Sequence, residues 1–406
     1  MDIRPILSTL RRHKTASALI VLEIALSCAI ICNAVFLIST RLERMDRPSG
    51  LAESELVQLR YAGLGQDGGD AAARVREDLA ALRAIPGVES ASLVNQIPYG
   101  NAVWQGSVEL EADQPNPTLN AALYLGDEQL LETFGLQLVA GRDFSDDEFI
   151  DFSALQAPEA EISIPAVILA RGTAEQLFPG EDAVGNVIYS WGDTPIRVVG
   201  VVDRLIRPND EGGPAQVPLS MILPVRVTQG SYVLRTDPAR RTEVIEAAKA
   251  ELDRLNPSRI LLDDGTFEEL RDAYYRADKS MAWLLVAVCI GLLVVTALGI
   301  VGLASFWVQQ RTKQIGVRRA LGATRGQVLR YFQVENFLLA TVGIVIGMML
   351  AYAINMSLME RYELARLPAV YLPIGALTLW LLGQVSVFGP ARRAASVPPA
   401  VATRSV

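Results

Sequence analysis

Few residues of this 406-residue chain have the types and spacing that catalysis needs. The single histidine is His13, so no later segment can supply the imidazole of a Ser-His-Asp triad or of a histidine-ligated metal site. Carboxylates cluster at Asp146-Asp147-Glu148 and at Asp263-Asp264, and we interpret both clusters as solvated turns. The sequence contains no Gly-x-x-x-x-Gly-Lys-Ser/Thr phosphate loop. It therefore predicts a chain that is not an enzyme, with no catalytic residue, no metal site and no cofactor.

A short basic segment at residues 311–326 is the most informative polar feature. Three glycines, Gly316, Gly322 and Gly326, permit tight turns or close approach within it. A helix lying along a membrane surface would turn the segment's apolar residues toward lipid and its arginines outward. From its residues alone, the segment is expected to anchor the chain to anionic lipid. The apolar members are Ile315, Val317, Ala320 and Leu321, and the basic ones include Arg311, Lys313, Arg318, Arg319 and Arg325.

Polar residues also occur inside apolar stretches. Glu23 is an acid within a predicted membrane span, which is a candidate functional position. Two interpretations stay open: it pairs with Arg12 or water near the boundary, or it takes part in gating or transport. Asn33 is interpreted as a hydrogen-bonding contact between helices. The three cysteines, Cys28, Cys32 and Cys289, lie in apolar stretches and are interpreted as small packing residues.

Four stretches are long and apolar enough to cross a bilayer, at 16–39, 281–308, 336–358 and 371–388. The first is too long for a secretory signal peptide, and no small-residue cleavage site follows it. The fourth is the shortest, with a re-entrant helix as the alternative. Small residues suited to close helix packing are Gly291 and Gly299 in the second stretch and Gly343 and Gly347 in the third. They fit either packing within one four-helix unit or a dimer seam.

Charge predicts the orientation of these spans. Residues 41–280 contain 22 basic and 40 acidic residues, a net charge of −18, whereas the remainder of the chain carries +10. Basic residues in short loops are retained in the cytoplasm. We therefore expect residues 1–15, the loop 309–335 and the tail 389–406 to be cytoplasmic, with 40–280 and the short loop 359–370 outside. The acidic surface argues against nucleic acid as a partner of the outside domain.

The segment 40–280 has an α+β pattern. Helices are predicted at 70–84, 127–134, 172–178 and 241–255, and strands at 88–94, 165–170, 185–189, 196–202 and 231–235. Their order indicates two subdomains, with residues 101–230 inserted into a unit built from the flanks. Thr266 and Glu269 fit a capping box, and we predict one continuous helix from Phe267 to beyond Leu292. The predicted fold is thus a membrane α-helical protein with four transmembrane helices and a large α+β extracytoplasmic domain between helices 1 and 2.

The residues that follow the second span resemble a family signature. They are Gln314, Ile315, Gly316, Val317, Arg318, Arg319, Ala320, Leu321, Gly322 and Ala323. This segment resembles that of the MacB/FtsX-like ABC transporter permeases. Shorter matches occur in the expected order: Ile85-Pro86-Gly87-Val88, Phe134-Gly135-Leu136, Ala140-Gly141-Arg142-Asp143-Phe144, Leu177-Phe178-Pro179-Gly180, Val198-Val199-Gly200-Val201-Val202 and Pro390-Ala391-Arg392-Arg393-Ala394-Ala395.

The resemblance implies that residues 314–323 form a coupling helix that docks on a separate ATPase. The family usually carries Glu where this chain has Gln314, so a charged contact there would become a neutral hydrogen bond. Fused members carry their nucleotide-binding domain before the first helix, where about fifteen residues stand here. The resemblance therefore implies that ATP hydrolysis comes from another polypeptide.

The function expected from the resemblance is that of a permease subunit that drives export by moving its outside domain. The expected partners are two copies of an ABC ATPase, a second permease chain in a homodimer or heterodimer, membrane lipid and, in a two-membrane cell, a periplasmic adaptor and outer-membrane channel. The expected location is the inner membrane. The alternative is a sensing membrane protein whose outside domain binds a ligand and signals to a cytoplasmic partner.

Overall fold

A computed structural model of the protein describes residues 14–63, 71–100, 103–112, 114–156, 163–192, 194–209, 219–362 and 366–396. The chain divides into two compact units. A helical unit comprises Met1–Asp46 and Ala277–Val406, and an α+β unit comprises Arg47–Arg276. Arg12, which the sequence suggests as a partner of Glu23, and the single histidine His13 lie outside the described residues.

Helices are numbered along the chain. They are α1 Lys14–Met45, α2 Ala71–Arg83, α3 Leu130–Phe134, α4 Phe152–Leu155, α5 Arg171–Leu177, α6 Arg241–Leu255, α7 Phe267–Tyr274, α8 Arg276–Gln310, α9 Thr312–Ala320, α10 Arg325–Tyr362 and α11 Tyr371–Ala395. Strands are β1 Leu56–Gly63, β2 Val88–Val94, β3 Gln105–Val108, β4 Leu119–Leu125, β5 Leu138–Gly141, β6 Ile150–Asp151, β7 Ala166–Ala170, β8 Val187–Ile188, β9 Ile196–Val202, β10 Ser220–Leu223, β11 Val225–Arg226, β12 Ser231–Thr236 and β13 Arg259–Thr266.

Four helices, α1, α8, α10 and α11, are long and apolar enough to span a membrane, as the sequence predicts. Each extends beyond its apolar stretch, because polar residues at the ends continue the helical backbone. The helices differ in how deeply they are packed. In the most apolar window of α1, 61% of the residues are buried, against 11% in α8. Helix α8 is therefore the most exposed of the four within this chain.

The α+β unit contains two main sheets in its described residues. The first is antiparallel, with the order β13-β1-β12-β2. The second is mixed, with the order β3-β4-β10-β7-β9-β5 and with β8 added beside β9. Strands of the first sheet come from the two flanks of the segment, at 56–94 and 231–266, and strands of the second come from 105–223. A parallel pair, β6 with β11, adds two short strands.

Local patterns account for many elements of this unit. Helix α6 and strands β2 and β9 have the bounds that the sequence predicts. Helix α2 buries Leu79 and Leu82 against its sheet, as its periodicity indicates. Helix α3 is shorter than predicted, but it ends at Gly135, whose φ of 68° is the left-handed conformation of a glycine C-cap.

Two predictions about the end of the α+β unit are wrong. The expected continuous helix is interrupted at Tyr275, which has ψ near 7° and separates α7 from α8. The reason is tertiary packing, because the Tyr275 ring is buried 5.9 Å from Tyr99 and 4.9 Å from Tyr274. Asp263 and Asp264 lie in β13 and not in a turn. As β13 is an edge strand, its exposed carboxylates are compatible with solvent and discourage further strand pairing.

Candidate coupling site

The basic segment after α8 folds as a helix, a turn and a second helix. Helix α9 ends at Ala320, and Gly322 then adopts a φ of 98°, so its predicted use in a tight turn is confirmed. Thr324 starts α10 with a reciprocal cap: its hydroxyl accepts from the Gln327 N–H at 3.2 Å, and its own N–H donates to Gln327 Oε1 at 2.9 Å. The third membrane helix therefore begins within the segment that the sequence assigns to a loop.

A buried ion pair joins the two helices that flank α9. The Arg311 guanidinium, directly after α8, donates to both carboxylate oxygens of Glu335 on α10, at 3.0 and 3.1 Å. Side-chain exposure is only 9% for Arg311 and 2% for Glu335. The guanidinium also lies over the Trp307 ring at 5.6 Å. A charge this deeply buried requires a partner, so the pair fixes the end of α8 to α10.

The arginines of α9 are not all directed outward, contrary to the surface-helix prediction. Arg319 donates from Nη1 to the Ala395 carbonyl oxygen at 3.0 Å, at the C-terminus of α11. Cations are favoured at that end of a helix because the carbonyl dipoles point there. Arg318 stacks over the Tyr331 ring at 5.0 Å. Both arginines of the predicted coupling helix thus make contacts within this chain.

The apolar residues of α9 and its turn also divide between two surfaces. Ile315 and Gly316 are buried, whereas Val317 and Leu321 are exposed, Leu321 at 83%. The prediction that all the apolar residues share one lipid-facing surface is therefore wrong. Helix α9 is short, and its buried face packs on this chain. An almost fully exposed leucine therefore stands beside the turn.

The intramembrane acid lies between α1 and α8. The Glu23 carboxylate occupies the space beside Gly299 that any larger residue there would fill. One turn along, the hydroxyls of Ser27 and Thr296 are 2.8 Å apart, so the two helices share a hydrogen bond. Within the described residues Glu23 makes no ion pair or hydrogen bond, and the predicted partner Arg12 lies outside them. Near the opposite end of α8, Asp278 forms an ion pair with Arg41 of α1.

The four glycines that the sequence suggests for helix packing divide into two groups. A Cβ at Gly343 or Gly347 would overlap α1, at Ile24 for the first and at Cys28 and Ala25 for the second. These two glycines thus lie in the packing interface between α10 and α1. Gly299 also faces α1, but a Cβ there would meet the carboxylate at the end of the Glu23 side chain. Gly291 does not, because it lies on the exposed face of α8 with no other atom of the described chain within 4 Å of its position for a Cβ.

Asn33 adds a polar contact to the α1–α10 seam. Its amide nitrogen donates to the Ala351 carbonyl oxygen at 3.1 Å, which confirms the predicted hydrogen bond between helices. Cys28 lies on the same face of α1, with its sulfur 3.8 Å from the Ile344 carbonyl oxygen. Helix α1 is therefore held to α10 by close packing and by polar contacts together.

The α+β unit has its own polar junction where the chain arrives and leaves. Arg271 of α7 donates to Glu53 at 2.8 Å and to the Arg47 carbonyl oxygen at 3.1 Å. The Tyr99 hydroxyl donates to the same Glu53 carboxylate at 2.5 Å, and Tyr99 has a φ of 65°, which is unusual for a residue with a side chain. Burial, with Glu53 adding to it, raises the pKa of Tyr99. The incoming and outgoing segments are thus bonded to one another.

The acidic cluster at 146–148 has a structural explanation. Arg142 donates to both Glu148 oxygens, at 2.8 and 2.6 Å, and the Ser145 N–H donates to Glu148 at 2.9 Å. The hydrogen bonds from Arg142 lower the pKa of Glu148 to about 2. The cluster is a capped turn, as predicted. In the part of the chain that the structure describes, no group of three His, Cys, Asp or Glu side chains is arranged to hold a metal ion.

Sequence reasoning missed Glu335 and the Thr324–Gln327 cap. The cap has the spacing of a capping box, so the signal was present in the sequence. Outside residues 41–280 the chain has only five acids, and Glu335 is one of them in a strongly basic region. Its isolation among arginines was the available sign of an ion pair, although the sequence does not reveal which arginine is the partner.

Two family models match this chain. The model for the MacB-like periplasmic core domain matches residues 17–255, and the model for the FtsX-like permease C-terminal region matches residues 286–399. Among solved structures, the periplasmic region of MacB from Actinobacillus actinomycetemcomitans is similar with a TM-score of 0.34 and 16% identity. That match covers 57% of this chain and 97% of the solved one.

Curated relatives are named macrolide export ATP-binding/permease protein MacB. The relative from Paracoccus denitrificans is 25% identical over 98% of this chain and 57% of its own length. The relative from Agrobacterium fabrum is 27% identical over 78% of this chain and 48% of its own length. This chain spans about half the length of the relatives it matches. Since the first family model alone covers more than half of its residues, the chain belongs to the MacB/FtsX-like family of ABC transporter permeases.

Proposed function

We propose that this chain is the membrane subunit of an ABC exporter, in which a separate ATPase chain moves the α+β domain through helix α8. The observation that carries the proposal is the construction of α8. This one helix follows directly on the α+β unit and ends at the α9 segment, and only 11% of its apolar window is buried. A lightly packed helix can shift at lower cost than one buried in a seam.

The proposed docking element is the exposed part of α9 and its turn. Leu321 and Val317 are apolar and exposed. The buried residues Ile315 and Gly316 hold α9 against the rest of the helical unit. A few buried apolar anchors commonly carry most of the energy of a protein interface. Gln314 belongs to the same helix and would supply a neutral hydrogen bond where related chains have a carboxylate.

Force applied at α9 has a defined route in this proposal. The Arg311–Glu335 pair joins the start of α9 to α10, and the backbone joins it to α8. Helix α8 contacts α1 through Ser27–Thr296, Glu23–Gly299 and Arg41–Asp278. In the α+β unit, the Arg271–Glu53 junction would receive the motion where the chain arrives and leaves.

The proposed setting follows from charge and family. With basic segments in the cytoplasm, both termini and α9 are cytoplasmic and the acidic domain is periplasmic. We propose two ATPase copies and two permease chains per transporter, with an adaptor and an outer-membrane channel as further partners. Export is proposed because the names of the relatives describe macrolide export.

The test is purification of the chain from its host in mild detergent with any bound ATPase. We expect an ATPase subunit to co-purify and the permease alone to hydrolyse no ATP. Leu321→Asp should abolish both co-purification and stimulation of the ATPase. Leu262→Asp is the matched control, because it places the same charge at a leucine of β13 that is 55% exposed in the α+β unit. Full stimulation in the Leu321→Asp variant would contradict the proposal.

A further inference from the structure

A cavity of about 450 Å³ lies between α9 and the first turns of α10. Three arginines line it, Arg311, Arg318 and Arg330, with the amides of Gln314 and Gln327 beside them. None of its lining residues is acidic. The rest of its wall is largely apolar and aromatic. The cavity thus combines several hydrogen-bond donors and positive charge with apolar and aromatic side chains.

The positive charge of this cavity is only partly neutralised. Glu335 balances Arg311, but among the described residues no acid forms an ion pair with Arg318 or Arg330. The Arg318 guanidinium is held in place by stacking on the Tyr331 ring, which leaves its N–H groups available as donors. The cavity therefore presents two uncompensated guanidinium groups.

A second observation points to a missing acceptor. Arg311 is 7% exposed, and its Nη2 nitrogen is buried without a hydrogen-bond partner in the described chain. An unsatisfied buried donor is costly, the more so on a charged group. An oxygen-rich anion at the inner end of the cavity would supply the missing acceptor after a small adjustment of the side chain.

The position of the cavity favours a lipid as the source of that anion. It lies directly after the apolar span of α8 and at the start of the span in α10. Exposed apolar residues of α8, among them Leu298 and Phe306, offer an apolar surface on the helix that precedes the cavity. Basic pockets between membrane helices at the cytoplasmic side are suited to anionic headgroups.

We propose that this cavity binds the phosphate of an anionic phospholipid, with Arg318 and Arg330 as its charged ligands and the acyl chains along the exposed face of α8. Guanidinium groups match phosphate oxygens in geometry and charge. The cavity proposed for the lipid is separate from the exposed Leu321 side chain, which is proposed to dock on the ATPase. Only the assignment to the inner leaflet rests on the proposed orientation, and the binding itself needs no ATPase.

The experiment is native mass spectrometry of the purified full chain in detergent, titrated with phosphatidylglycerol or with phosphatidylcholine. We expect retention of one phosphatidylglycerol per chain and little retention of phosphatidylcholine. The variant Arg318→Gln/Arg330→Gln should bind phosphatidylglycerol at least about tenfold more weakly. The matched control is Lys313→Gln/Arg325→Gln, which removes two exposed charges from the same segment without touching the cavity lining.

The outcomes separate the alternatives. Equal losses in the two double variants would overturn the proposal, because they would indicate diffuse attraction and no built site. Displacement of the lipid by inorganic phosphate at similar concentration would overturn the lipid assignment in favour of a soluble anion. Circular dichroism and gel filtration verify that both variants are folded. Because no ATPase is present in this experiment, a negative lipid-binding result would not contradict the proposed docking of Leu321 on the ATPase.

Discussion

Helices α1 and α8 carry the chain to and from the α+β unit, yet they are packed in different ways. Helix α1 is closely packed on α10, where Gly343 and Gly347 leave no room for a side chain. Helix α8 is largely exposed, and its contacts with α1 include the Ser27–Thr296 hydrogen bond. Close packing is rigid because cores do not deform gradually, whereas a hydrogen bond can exchange partners. The difference suggests a fixed α1–α10 frame and an α8 that is mobile along its exposed length, while its end stays anchored to α10 by the Arg311–Glu335 pair.

The largest expected effect concerns the anchored end of α8. Glu335→Leu would leave the Arg311 charge buried without a partner and should cost about 3–5 kcal/mol of stability. The double variant Arg311→Met/Glu335→Leu removes both charges and should recover most of that loss. Denaturant unfolding in detergent measures both. A single variant as stable as the unaltered chain would show that this end of α8 is not anchored by the ion pair.

A pair of glycine variants tests the difference in packing directly. Gly347→Ala would bring a Cβ against Cys28 and the Ala25 backbone, so we expect a loss of about 1–3 kcal/mol. Gly291→Ala makes the same change on the open face of α8 and should be neutral or slightly stabilising, since Ala favours helix. Thermal unfolding of both variants gives the comparison. Equal effects would remove the distinction between a packed α1 and an open α8.

The smallest expected effect concerns the polar contact of α8. Thr296→Val removes the hydrogen bond to Ser27 and should cost about 0.6 kcal/mol, a typical value for such bonds in membranes. Thr378→Val is the control, because the Thr378 hydroxyl bonds only to the Ile374 carbonyl within its own helix. A double-mutant cycle with Ser27→Ala isolates the pair. A loss above about 2 kcal/mol would indicate a contact too strong for a mobile helix.

The sequence predicts the membrane helices and most of the α+β elements because both depend on local patterns. Apolar length defines α1, α8, α10 and α11, and strand alternation with turn residues defines elements such as β9. The sequence does not predict where tertiary contacts override local preference. The break at Tyr275 depends on an aromatic cluster with Tyr99, which lies far away in the chain.

For the candidate site, the sequence predicts the segment that forms it but not the contacts of its individual residues. Its basic, glycine-containing pattern indicates a short helix and a turn, and Gly322 is placed as expected. The partners of its arginines are not predictable from spacing, because Glu335, Tyr331 and the Ala395 carbonyl oxygen belong to two other helices. For the same reason the sequence does not distinguish the exposed Leu321 from the buried Ile315.

The most direct test of a mobile α8 is a reversible disulfide between α8 and α1. In the complex with its ATPase, Ser27→Cys/Thr296→Cys would join hydroxyl positions that are 2.8 Å apart, with the native cysteines replaced by alanine. A control bond between a retained Cys32 and Gly375→Cys would join α1 to α11 and leave α8 unlinked. We predict that oxidation abolishes ATPase stimulation only for the α1–α8 bond and that reduction restores it. Full stimulation with the α1–α8 bond formed would contradict the account.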